Sequence, residues 1–143
     1  VLTVLKSQSE KAKKLFDGNS DEVNESDEFI EYSFYEVNYG SLGFLDDLMD
    51  AGIAFDSSWG HGSEYGPGTE YLRFLPDGTH WREEVSDSYI NPDLSKCMQL
   101  LDTPDELCTY IRNHYERITP PSWDNQEEYS KLFLARQLIT SKE

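Results

Sequence analysis

Basic residues are scarce in this chain and missing altogether from its middle. Twelve Lys and Arg stand against 28 Asp and Glu, and none of the twelve falls between Lys14 and Arg73. Such a surface repels phosphate, which excludes nucleic acid and an anionic membrane as direct partners. Cysteine is also sparse: Cys97 and Cys108, both within helix-like apolar patterns, predict buried reduced thiols rather than a disulfide framework or a metal knuckle. No apolar run approaches the roughly 18 residues that span a bilayer, and Val1 to Leu5 is too short for the core of a signal peptide. The expectation is a soluble, cytoplasmic protein that makes no membrane contact. Catalytic frames are lacking too. Ser63 has no G-x-S-x-G setting, and no Walker lysine follows Gly60, Gly62, Gly66 and Gly68. No cofactor is implied.

What is present is acid, and it is concentrated. Residues 15 to 72 hold fourteen acids and no base, a local charge of −14 within a total of −16 over 143 residues, so the remainder sums to −2. A field gathered in this way attracts basic surfaces and speeds encounter with them. It also keeps a protein soluble, which is the plainer reading of the same charge. Residues 57 to 68 are equally distinctive: four glycines, a proline, Trp59, His61, Glu64 and Tyr65 lie within twelve positions. Glycine at that density excludes a regular helix or central strand and predicts a loop that displays its aromatics.

Periodicity predicts the elements. Leu5, Ala12, Leu15 and Phe16 share a helical face over residues 3–16, and Asp17-Gly18-Asn19-Ser20 ends it. Residues 21–28 are acidic and almost free of apolar side chains, the composition of a linker. Ile30, Tyr32 and Phe34 alternate in a strand over 29–37, followed by a helix that carries Leu42, Leu45, Leu48 and Met49, with Ser41 as its N-cap. Residues 69–75 and 79–85 form a hairpin through Pro76-Asp77-Gly78, with Arg73 opposite Trp81 and Phe74 opposite His80, a setting for an Arg on indole contact. Three helices follow. The first starts at Asn91-Pro92 and carries Leu94, Cys97, Met98 and Leu101. The second starts at Thr103-Pro104, with Leu107, Ile111, Tyr115 and Ile118 as its apolar stripe, and the third runs from Asp124 to about Ile139 with Tyr129, Leu132, Ala135 and Ile139 inward. The fold expected is α+β: a small antiparallel sheet with helices on one face and a helical C-terminal third, residues 1–28 forming a helix and acidic linker ahead of a single domain over 29–143.

Three functional readings follow. In the first, Asp21, Glu22, Glu25, Asp27, Glu28, Asp46, Asp47 and Asp50 form an acidic face for a basic protein partner, with Trp59, His61, Glu64 and Tyr65 beside it. Its sharper form is DNA mimicry, since DNA carries about one charge per 1.7 Å. In the second, His61, Glu64 and His80 hold a metal ion in a metal-dependent enzyme or binding protein. The third comes from the window 17–28. Asp17, Asn19, Asp21, Glu25 and Glu28 occupy positions 1, 3, 5, 9 and 12, an arrangement that resembles an EF-hand loop and implies calcium binding with a helix leaving at Phe29. Glu22 departs from it where that family needs glycine, Asn24 where an apolar residue is usual, and no second copy occurs.

Overall fold

In a computed structural model, residues 1–35, 42–62 and 65–141 are described. Six short strands pair into one antiparallel sheet: β1 (Leu2–Leu5), β2 (Glu22–Glu25), β3 (Phe29–Ser33), β4 (Phe55–Trp59), β5 (Gly68–Phe74) and β6 (His80–Ser86), in the order β2-β3-β1-β4-β5-β6. Directly paired residues share a face, so the registers Leu2 with Tyr32, Val4 with Ile30 and Phe55 with Leu72 gather the alternating apolar positions on one side. That side is the core. It is closed by α1 (Ser9–Leu15) through Ala12 and the following Phe16, by α2 (Leu45–Asp50) through Leu45 and Leu48, and by α5 (Gln126–Ser141) through Phe133. The fold is therefore α+β, with a helical C-terminal region completed by α3 (Leu94–Gln99) and α4 (Pro104–Ile118).

Several expectations are corrected by strand pairing. Residues 2–5 are the strand β1, in the middle of the sheet, and helix α1 begins only at Ser9. Leu2 and Val4 serve the core by period-two alternation, and pairing on both sides outweighs the helical spacing of Leu5 with Ala12. The acidic stretch is not a linker. Glu22–Glu25 is an edge strand that gives β3 a backbone partner, as the chain turns back through a Ser26 N–H to Phe29 carbonyl bond of 2.9 Å. Residues 1–28 thus contribute two strands to the sheet that residues 29–86 complete. Within the glycine-rich window, Ser57, Ser58 and Trp59 belong to β4 and Gly68 opens β5, leaving the irregular part between them. The strand expected over 29–37 runs from Phe29 to Ser33, while residues 36 and 37, and Ser41 with its proposed capping role, lie outside the described residues.

The β5–β6 hairpin has the predicted register, Arg73 opposite Trp81 and Phe74 opposite His80. Its turn carries Gly78 at φ +84°, and Asp77 accepts from the Thr79 N–H and hydroxyl. Arg73 stacks instead on the indole of Trp123, 3.7 Å from the ring centroid, whereas Trp81 lies beside Tyr71.

The helices differ from expectation in which face they bury. In α4, Leu107, Tyr110, His114 and Ile118 are half-buried while Ile111 and Tyr115 face solvent, and Leu94, Met98 and Leu101 of the α3 segment are exposed. Polar contacts set that rotation: the Tyr110 hydroxyl accepts from the Asp93 N–H, and His114 Nε2 lies 3.3 Å from the Ile90 carbonyl. Helix α3 is capped by Asp93, not by Asn91, and the Thr103 hydroxyl bonds back to Leu100. Helix α5 buries Gln126, Ser130 and Phe133, leaving Leu132, Ala135 and Ile139 outward, because Phe133 packs on Phe74. Cys97 is half-buried and Cys108 exposed, both as free thiols.

Candidate partner-binding site

The loop between β4 and β5 is built by its aromatics. Trp59 pairs with Gly68 across the two strands, and a Cβ on Gly68 would lie 2.4 Å from the indole and 2.8 Å from the Val85 carbonyl oxygen, so only glycine admits the ring. The indole N–H donates to the Gly66 carbonyl at 3.0 Å. Tyr65 lies over Gly62 in the same manner, where a Cβ would come within 2.2 Å of its ring, and the Gly62 N–H reaches the Tyr65 carbonyl. Trp59 and Tyr65 are accordingly half-buried, and His61 is exposed.

Trp59, Gly60, His61 and Tyr65 line an open cleft of about 590 Å³ together with Ser33, Phe34, Tyr35 and Leu42, and Val1 and Ser58 complete its lining. The acidic hairpin joins the cleft through Tyr35. Its N–H donates to Asp21 at 2.6 Å, and its phenol is held above its ordinary range by a hydrogen bond to Glu22, with partial burial and the Asp21 charge adding to the effect.

Asp21, Glu22, Glu25, Asp27 and Glu28 are all exposed on β2 and its turn, at the outer edge of the sheet. Asp46, Asp47 and Asp50 are exposed on α2, over the face that carries the helices. The segment without bases is partly neutralised by cations from outside it. Lys6 pairs with Glu25 at 2.8 Å, Arg73 with Asp56 at 2.8 Å, and Arg82 bridges Glu70 at 2.5 Å and Asp46 at 2.7 Å. Among the described residues, four acids of that segment therefore face three cations, and of the hairpin acids only Glu25 is in a salt bridge. Sequence reasoning missed Phe34 and Tyr35 as cleft walls because both fall inside the strand expected over 29–37, and no local signal marks its end at Ser33. It also missed the Arg73 and Trp123 stack, for which 50 residues of separation leave no local signal.

The metal-binding alternatives do not assemble. His80 pairs with Phe74 at one end of the β5–β6 hairpin, and His61 follows Trp59, whose row ends at Gly68 and Ser86. Six residues of strand hold the two ends roughly 20 Å apart. Glu64 lies outside the described residues. In the 17–28 window, Glu22–Glu25 is extended and Phe29 opens a strand, so the chain does not wrap into the calcium loop and no exiting helix follows. Among the described residues no group of three or more His, Cys, Asp or Glu could hold a metal ion, and no helix is long and apolar enough to cross a membrane. No protein-family model, no curated protein and no solved structure matches the chain.

Proposed function

We propose that the protein is a non-enzymatic interaction module whose acidic β2–β3 hairpin and adjoining aromatic cleft receive a basic protein segment. The hairpin carries this proposal: five carboxylates on eight consecutive exposed residues, with Lys6 beside only one of them. Tyr35 and Trp59 give the cleft the walls that suit a lysine or arginine side chain, through apolar contact along its stem and cation–π attraction at its head. Asp21 and Glu22, both bonded to Tyr35, supply the negative charge beside that wall. The α2 acids extend the field, with Asp46 already engaged by Arg82. In the same reading the protein works in the cytoplasm, where Cys97 and Cys108 stay reduced.

A fluorescent arginine- and lysine-rich peptide tests this. Saturable binding should weaken steeply with added salt, and the combined variant Glu22→Gln, Asp27→Asn, Glu28→Gln should weaken it at least tenfold at low salt. The α2 variant Asp46→Asn, Asp47→Asn, Asp50→Asn should weaken it less. Equal binding by the wild type and the hairpin variant would leave the acids as a guard on an open sheet edge, a use to which charged edge strands are widely put. DNA mimicry requires more: a DNA-binding protein held by the wild type must be released by duplex DNA.

A further inference from the structure

We infer, resting on the acidic-hairpin reading above, that the basic partner binds by strand addition. An extended stretch of it pairs antiparallel with the outer edge of β2 and becomes a seventh strand of the sheet. The hydrogen-bond phase of the hairpin leaves that edge open. The Ser26 N–H bonds the Phe29 carbonyl and the Asp21 N–H the Ser33 carbonyl, so in the register Glu22 with Ser33 and Asn24 with Glu31 it is Glu22 and Asn24 that exchange bonds with β3. The far side of β3 has the matching phase. There the Lys6 N–H bonds the Glu28 carbonyl, which turns the backbone groups of Ile30 and Tyr32 toward β1 and those of Phe29, Glu31 and Ser33 toward β2. Val23 and Glu25 therefore direct their N–H and C=O groups away from β3, at the end of the strand order.

An apolar row also stops unfinished at this edge. Val23 lies opposite Tyr32 and Tyr32 opposite Leu2; the two inner residues are 0% exposed, whereas Val23 is 52% exposed. A further strand, ~4.8 Å beyond β2, would set one of its side chains opposite Val23 and continue the row.

Charge decides which strand this is. Glu22 and Glu25 within β2, Asp21 before it, and Asp27 and Glu28 in its turn repel an acidic strand and a second copy of the same edge alike. Acids guard an edge against such chains and draw a basic one onto it. In the antiparallel register the occupant carries an apolar residue opposite Val23, a Lys or Arg one position later opposite Glu22, and another two positions earlier opposite Glu25, which is shared with Lys6. Beyond Glu22 the added chain runs on past Asp21, which accepts from the Tyr35 N–H, toward the aromatic cleft.

The fluorescent peptide Arg-Lys-Thr-Val-Arg-Lys tests the geometry. Backbone N-methylation at its Val and at the Lys two positions earlier removes the N–H groups that would face β2, and should weaken binding to the wild-type protein roughly tenfold. Methylation at the Thr and at the Arg after Val touches N–H groups that would face water, and should leave binding nearly unchanged. On the protein, Val23→Pro removes an outward N–H without breaking the β2–β3 ladder or changing charge, so it should bind the peptide roughly tenfold more weakly than Val23→Ala does. The peptide comparison uses the wild type and so stands even where Val23→Pro fails to fold. Equal effects of the two methylation patterns, or a folded Val23→Pro that binds as well as Val23→Ala, would overturn strand addition and leave the acidic hairpin as a binding surface of another geometry. A wild type that binds no peptide, or a Glu22→Gln, Asp27→Asn, Glu28→Gln variant that binds it equally well, would overturn both.

Discussion

Arg73 is 2% exposed, and its guanidinium is surrounded on every side. Nε donates to the Pro121 carbonyl at 3.0 Å, Nη1 to the carbonyls of Phe55 and Leu72, and the plane lies on Trp123. Asp56 Oδ1 is 2.8 Å from Nη1, an ion-pair contact whose geometry falls short of a directed hydrogen bond. Removing the cation strands a largely buried carboxylate. Arg73→Met should cost about 3 kcal/mol, the lower end for such pairs because Asp56 keeps 28% of its side chain exposed. Adding Asp56→Asn should recover part of that loss in urea titrations, and additive costs would show that the two residues do not act as a pair. Burial raises the Asp56 carboxyl above its ordinary range, and Arg73 opposes this without cancelling it. A carboxyl whose pKa is raised in the folded state contributes stability below its unfolded value and loses it as pH rises through the folded one. The stability of wild type relative to Asp56→Asn should therefore grow as pH falls from neutral into the acid range, and a difference that stays flat or shrinks would contradict that sign.

At the scale of elements, the strands show how an edge is completed. Strand β4 pairs with β5 only as far as Phe55 opposite Leu72, so the backbone of Phe74 has lost its neighbour on that side. Gln126, at the start of α5, takes the missing place: its Oε1 accepts from the Phe74 N–H at 2.7 Å and its Nε2 donates to the Phe74 carbonyl at 3.0 Å. Gln126→Ala should cost roughly 1–3 kcal/mol, the penalty for leaving buried backbone groups unpaired, and Gln126→Glu should be worse than the conservative shape suggests because Nε2 is lost. A chemical denaturation midpoint equal to wild type for Gln126→Ala would contradict that account. The Pro76-Asp77-Gly78 turn and the end of α1 were legible because glycine, proline and aspartate act within four residues. The rotation of α4 was not. Its sequence offers Leu107, Ile111, Tyr115 and Ile118 as one stripe, and only contacts to Asp93 and Ile90 from a preceding segment turn Tyr110 and His114 inward in place of Ile111 and Tyr115.

For the molecule as a whole, a net charge of −16 means that repulsion among the carboxylates opposes folding, and the ion pairs at Lys6, Arg73 and Arg82 offset part of it. Screening reduces repulsion over long distances more than attraction in close pairs, so the melting temperature should rise between roughly 10 and 200 mM sodium chloride, where the Debye length falls from ~30 Å to below 10 Å. A melting temperature that falls with salt would mean that the pairs outweigh the field. Composition and local spacing were enough for the α+β class, the β5–β6 register and the sign of the surface, because each depends on side chains near one another along the chain or on a simple sum of charge. Tertiary structure decided the rest. Pairing with β3 made residues 22–25 a strand, and bases from residues 6, 73 and 82 reached into a segment that has none of its own. The sheet held His61 and His80 at opposite ends, and the stripe on α4 turned to water. Each of these is settled by which distant backbone or charge arrives alongside, and residues far apart in sequence meet only once the sheet has closed.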